Sequence, residues 1–192
     1  TASFLANQKP HGTAYVIGEG GLHLALHENG YSIVDDDPDY VVIGEGRSLN
    51  FENLEKATKM VSRGAKLIAT NLDISCPVED GIRPGCGAIT ALVEKATGKN
   101  AFYVGKPSGI MMRLARKALQ LRTEQVIMIG DTMYTDILGG VEMGYHTVLV
   151  MSGGTDMAEL DQYSYQPNNV INSIANLPEL FPEAFNQTPK VI

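Results

Sequence analysis

The segment Val126-Ile-Met-Ile-Gly-Asp-Thr-Met-Tyr-Thr-Asp136 constrains the fold more than any other stretch of the chain. Its four apolar residues, Val126 to Ile129, read as a buried strand of a parallel sheet, because such strands are covered on both faces. Gly130 and Asp131 end the strand, and a second carboxylate, Asp136, follows. Ile137, Val141 and Met143 then recur at near-helical spacing, and Gly144 is placed to stop that helix. An acid just past the C-terminal end of a parallel strand lies where open α/β sheets bind ligands. Two acids beside a glycine that admits close backbone approach suit a hard cation with oxygen ligands, Mg²⁺ first among them. The competing reading is structural, with Asp131 turning the chain and Asp136 capping the helix.

The rest of the chain repeats this strand-then-helix grammar. Apolar runs predict strands over Ala14 to Ile17, Tyr31 to Val34, Tyr40 to Ile43, Leu67 to Thr70, Phe102 to Val104 and His146 to Met151, with a last one at Val170 to Ile174. Helices are expected over Leu22 to Asn29, over Phe51 to Arg63 with Asn50 as N-cap and Gly64 as stop, and over Ala88 to Ala96. Another follows Pro107, with Met111, Leu114, Ala118 and Leu121 as its buried stripe, and a short one closes the chain at Leu177 to Phe181. Thr1 to Gly12 reads as the end of a helix. Alternation throughout is the α/β signature. Ile74 to Gly87, with Pro77, Gly81, Pro84, Gly85 and Gly87, reads as a long loop. It hints at two units, with a boundary near Lys99 to Phe102.

Composition excludes several classes. The net charge of −7 and the lack of any basic run argue against nucleic acid as a partner. No apolar run approaches a membrane span, and the N-terminus lacks a signal-peptide pattern, so no membrane partner is expected. Cys76 and Cys86 are too few for a disulfide framework, which makes a reducing cytoplasm the expected compartment.

Lys106 ends one expected strand and Asp131 ends the next, so right-handed crossovers would bring both to one sheet edge. A lysine beside an acid-bound cation is what phosphoryl transfer needs, since both neutralise charge on the transferred oxygens. Asn71 and Asp73, at a strand end ahead of the Gly/Pro-rich stretch, could touch substrate or simply form an Asx turn. Other constellations fail. Gly18-x-Gly20 followed by Asp35 only partly imitates a dinucleotide fingerprint, because His23 stands at the third glycine position. His23 and His27 lack a third metal ligand, Asp35-Asp36-Asp37 lies in a Pro-containing turn, and Met151-Ser-Gly-Gly154 lacks the first glycine of a nucleophile elbow. Gly44-Glu-Gly46 repeats Gly18-Glu-Gly20 after an apolar strand, a local device too short to be a repeat architecture.

Gly105-Lys-Pro-Ser108 followed by Gly130-Asp131-x-x-x-Thr135-Asp136-Ile137 closely resembles the haloacid dehalogenase superfamily. Ala69-Thr-Asn71-x-Asp73, Pro84-Gly-Cys-Gly87 and Tyr103-Val-Gly-Lys-Pro-Ser108 are similar in order and spacing to its NagD-like phosphatases. The resemblance covers nearly the whole chain. It implies a Rossmann-like parallel-sheet core with an inserted α/β cap. Residues 1–12 would end an N-terminal core segment, 13–100 would form the cap, and 101–192 the C-terminal part of the core. It further implies that Lys106 binds the phosphate and steadies the nucleophile, that Asp131 ligates Mg²⁺, and that Asp136 supports the metal site. Asn71, Asp73 and the 74–87 stretch would belong to the cap face over a small phosphorylated substrate. Cap-mediated homodimers occur among similar proteins.

The family's nucleophile is the first Asp of an N-terminal Asp-x-Asp-Gly, yet no Asp precedes Asp35 here, and the Thr/Ser motif that should follow is also absent. The favoured expectation is a longer Mg²⁺-dependent phosphomonoester hydrolase that acts through an aspartyl-phosphate and whose nucleophile is not in this chain. The alternatives are a non-catalytic phosphate-ligand binder and a structural fragment.

Overall fold

The computed structural model describes residues 1–47 and 49–185. The chain forms two compact units, Thr1–Met111 and Met112–Ile192. Each is an α/β layer structure built on a parallel sheet.

The first unit opens with α1 (Ala2–Gln8), β1 (Thr13–Ile17), α2 (Gly20–Glu28), β2 (Ser32–Ile33) and β3 (Tyr40–Ile43). It continues with α3 (Phe51–Arg63), β4 (Lys66–Ala69), β5 (Ser75–Val78), β6 (Gly81–Pro84), α4 (Cys86–Thr97) and β7 (Phe102–Tyr103). Five strands pair in parallel in the order β2-β1-β3-β4-β7. Alternate side chains along each strand face opposite layers, so the two-residue period splits the core in two. Tyr15, Ile17, Val41, Ile43, Leu67 and Ala69 pack with Leu54, Ala57, Met60 and Val61 of α3 and Ile89 and Val93 of α4. Ala14, Tyr40, Val42, Ile68 and Val104 pack on the other side with Ala2 and Leu5 of α1 and Leu26 of α2. The α3 caps follow the sequence: Asn50 Oδ1 accepts the Asn53 N–H at 2.8 Å, and Gly64 adopts φ 122°.

The α5 helix (Gly109–Ala118) crosses the division between units. The second unit then has β8 (Ile127–Gly130), a π-helical turn at Met133–Ile137, α6 (Leu138–Glu142), β9 (His146–Val150), α7 (Met157–Leu160), β10 (Asn169–Ile171), α8 (Leu177–Leu180) and α9 (Pro182–Phe185). Its sheet is parallel in the order β10-β9-β8. A small core of Met133, Ile137, Leu149 and Leu160 is lined by Met151, Tyr163 and Tyr165.

Two expectations need correction. The expected loop 74–87 contains the antiparallel hairpin β5–β6, and α4 begins at Cys86. Its Pro and Gly residues were breaker signals, but an isolated hairpin with mostly exposed side chains needs no apolar alternation. The compact units divide at 111/112, and β7 pairs with β4 through Ile68↔Phe102 and Ala69↔Tyr103. Within residues 1–12, Ala2 and Leu5 lie in the first unit's interior. Finally, β8 is not a buried strand: Ile127 is 41% exposed, and among the described residues β8 pairs only with β9. Among those residues no helix is long and apolar enough to cross a membrane.

Asp39 clips the start of this sheet. Its carboxylate pairs with Lys9 and accepts from the Thr13 N–H at 2.9 Å and the Thr13 hydroxyl at 3.1 Å. The Lys9 hydrogen bond first, then that from the Thr13 backbone, holds the Asp39 carboxyl below its ordinary value. A depressed folded pKa means the contribution is whole above the ordinary carboxylate value and is lost as pH falls through the folded one. Asp39→Asn is therefore expected to be less stable than the parent at neutral pH, with the two converging in acid. Thermal melts across pH check this; a gap that stays constant into acid would contradict it.

Candidate active site

The C-terminal ends of the second unit's strands carry the acids singled out in the sequence. Asp131 follows β8, and its Oδ2 accepts the Gly154 N–H at 2.8 Å from the loop after β9. Among the described residues its Oδ1 accepts no hydrogen bond, so one carboxylate oxygen is available to a ligand. Asp136 lies in the π-helical turn and is buried, with its Oδ2 3.3 Å from the N–H groups of both Asp131 and Thr132. It holds the loop that presents Asp131. Gly130 is required here, because a Cβ at that position would overlap the Asp136 side chain. The expected helix thus begins earlier, at Met133, with Gly144 (φ 69°) closing it as expected.

Sequence reading missed the residues that clamp this loop from the far side. A Cβ at Gly153 would overlap the Asp131 carboxylate. The Met133 N–H donates to the buried Thr155 Oγ1 at 3.2 Å, and the Met133 carbonyl accepts from the Tyr165 hydroxyl at 3.0 Å. These bonds run to backbone atoms of a residue 22 and 32 positions away in sequence, so no local pattern announces them. The Ser152-Gly153-Gly154 run was the available signal, and it points to close backbone approach rather than to a nucleophile.

Lys106, Asn71 and Asp73 belong to the first unit, at the C-terminal edge of its sheet. All the strands there are parallel, so the loops after β1, β3, β4 and β7 share that edge. Gly105, the residue before Lys106, lies against the Thr70 carbonyl and Asn71. The Asn71 Nδ2 donates to Asp73 Oδ2 at 2.8 Å, and Thr70 Oγ1 donates to Asn71 Oδ1 at 3.2 Å. Asn71 also reaches Glu45 Oε1 at 3.4 Å. The structure joins Asn71 to Asp73, and Asp131 to Asp136. β7, which leads to Lys106, pairs in the first unit's sheet, and β8, which leads to Asp131, pairs in the second unit's sheet.

Glu45 is the centre of a polar set that the sequence showed only as half of a repeated Gly-Glu-Gly. It accepts from the Cys76 thiol at 3.2 Å and faces the Arg83 guanidinium at 3.4 Å. Burial, and then the Glu45 carboxylate, push the Cys76 thiol above its ordinary value, so it stays protonated and donates.

The donor set in the second unit suits a hard cation. It offers one open carboxylate oxygen with a buried acid behind it. Among the described residues no group of three or more His, Cys, Asp or Glu converges to hold a metal alone. That pattern fits Mg²⁺, which keeps several waters and is held by one or two carboxylates together with substrate phosphate.

A family model for HAD-hydrolase-like proteins matches residues 103–177, which include Lys106, Asp131 and Asp136. The chain is 44% identical over 185 residues to the dihydroxyacetone phosphatase of Corynebacterium glutamicum (strain R), covering 96% of this chain and 67% of that protein. It is 40% identical over 177 residues to the ribonucleotide monophosphatase NagD of Escherichia coli (strain K12), covering 92% and 69%. The p-nitrophenyl phosphatase from Archaeoglobus fulgidus matches with a TM-score of 0.84 at 38% identity, over 93% of this chain and 71% of that one. The chain belongs to the HAD-like hydrolases, in their NagD-like branch. Its relatives there are named phosphatases, and it spans about two thirds of their length.

Proposed function

We propose that the intact protein is a Mg²⁺-dependent phosphomonoester hydrolase acting on a small phosphorylated metabolite, a nucleotide or a sugar phosphate. The observation that carries this reading is Asp131: a strand-end carboxylate fixed through Oδ2, open at Oδ1, and backed by buried Asp136. Residues 13–100 act as the cap and 101–192 as the retained part of the core. A nucleophilic Asp outside this sequence attacks phosphorus, the bond to the leaving alcohol breaks, and water then hydrolyses the aspartyl-phosphate.

In this reading Lys106 neutralises charge on the phosphate oxygens and steadies the nucleophile, while Asn71 and Asp73 bind substrate. Asp131 would hold Mg²⁺, and Asp136 keeps the Asp131 loop in place. When bound, the cation supplies charge neutralisation at the transferred group. The setting is cytoplasmic, without nucleic-acid or membrane partners, and a homodimer through the cap is compatible with it.

The test is phosphate release by the intact gene product from p-nitrophenyl phosphate, nucleotides and sugar phosphates. Turnover is expected with Mg²⁺, its loss with a chelator, and its return when Mg²⁺ is restored. Turnover indifferent to chelation would remove Mg²⁺ from the account. Ligand binding without turnover would favour a non-catalytic phosphate binder.

A further inference from the structure

The C-terminal edge of the first unit's sheet carries a cleft of about 180 Å³ lined by Glu19, Glu45, Gly46, Arg47, Arg83 and Pro84. Its walls come from the loops after β1 and β3 and from the β6 arm of the hairpin. The two glutamate loops brace each other: Glu19 Oε1 accepts the Arg47 N–H at 2.9 Å, and the Glu19 N–H donates to the Glu45 carbonyl at 3.2 Å. The Arg83–Glu45 pair, by contrast, is long at 3.4 Å, and the Arg83 side chain is 43% exposed. Such a pair contributes little to stability, so both partners can turn to a ligand at small cost.

Two properties of the cleft define its ligand. The first is chemistry: carboxylates that only accept stand beside a guanidinium that only donates. A hydroxyl does both, so neighbouring hydroxyls are matched by alternating partners of this kind. The second is shape. Among the described residues no aromatic side chain lines the cleft, and its volume is below that of a typical pocket for a drug-sized ligand. A nucleobase would find no stacking face there.

Position links the cleft to Lys106. Strands β3, β4 and β7 are successive in the sheet, so the loops bearing Glu45 and Lys106 are about 10 Å apart at strand spacing. Asn71, on the loop between them, lies against Gly105 and reaches Glu45 at 3.4 Å. A phosphate at Lys106 therefore leaves a few hydroxylated carbons extending along this edge toward the cleft.

We propose that this cleft recognises the hydroxyls of a short polyol phosphate, of triose to hexose size, with Glu45 and Arg83 as its specificity-determining residues. The assignment rests on the phosphatase reading above and narrows it to polyol phosphates over nucleotides.

The experiment compares kcat/KM of the intact protein for glycerol phosphate, triose and hexose phosphates, a 5′-nucleotide and p-nitrophenyl phosphate. The parent is expected to prefer a polyol phosphate to the nucleotide. Glu45→Gln and Arg83→Ala should each lower the ratio of polyol phosphate to p-nitrophenyl phosphate turnover by about tenfold or more, as loss of a polar substrate contact does. Arg83 is exposed on the hairpin, so its variant tests the cleft even if Glu45→Gln perturbs the fold. Equal losses on both substrates, or a parent preference for the nucleotide, would overturn the assignment while leaving the phosphatase reading intact. Absence of turnover on every substrate, p-nitrophenyl phosphate included, would overturn both.

Discussion

Replacing Asp131 by Asn in the intact protein lowers Mg²⁺-supported phosphate release by roughly a hundredfold or more, the scale on which metal-site groups act. The change is nearly isosteric, so the fold is expected to persist. The Gly154 N–H still finds an oxygen to donate to, at 2.8 Å in the parent. What disappears is the negative charge at the open Oδ1, and with it the reason for a divalent cation to sit there. Steady-state kinetics at increasing Mg²⁺, with a thermal melt of each protein, separates loss of metal use from loss of fold. Full activity of the variant would remove Asp131 from the metal site.

The largest stability effect is expected at Leu149. Met133, Ile137, Leu149 and Leu160 form a buried apolar cluster in the second unit, and Leu149, in β9, is fully enclosed. Leu149→Ala removes packing that few neighbours can replace, and a cost of about 2–5 kcal/mol is expected. Against a total near 5–15 kcal/mol for an ordinary domain, that is a large fraction. Met133 and Ile137 bound the π-helical turn that carries Asp136, so the same cavity should loosen the Asp131 loop. Urea unfolding of the intact protein measures the first effect. A loss below about 1 kcal/mol would show that the unit draws its stability from elsewhere.

Much of this arrangement was legible in the sequence, and the exceptions share a cause. The runs Tyr40–Ile43 and Lys66–Ala69 are strands because apolar continuity between glycine or polar stops leaves a parallel sheet little alternative. Asp131 and Asp136 were visible through their spacing after such a run. The hairpin β5–β6 was not, since its side chains are mostly exposed and leave no periodic trace. The two-residue β7 joins the first sheet by backbone pairing that composition cannot reveal. Thr155 and Tyr165 act on the Met133 backbone, and Glu45 gains meaning only once the hairpin brings Cys76 and Arg83 to it. Local periodicity was readable; long-range polar pairing was not.

That limit also bears on β8. Its outer side pairs with no strand among the described residues, and Ile127 is 41% exposed. Unpaired strand edges and exposed apolar side chains favour association. The 192 residues on their own are therefore expected to associate or to unfold readily.

The most direct test of the central claim is to trap the phosphorylated enzyme. The intact protein, mixed with substrate and Mg²⁺ and quenched in acid, is digested and its peptides weighed. The account predicts one phosphoryl adduct, on an Asp that lies outside the 192 residues described above. An adduct on any residue within them would contradict the account, because the nucleophile would then belong to this chain.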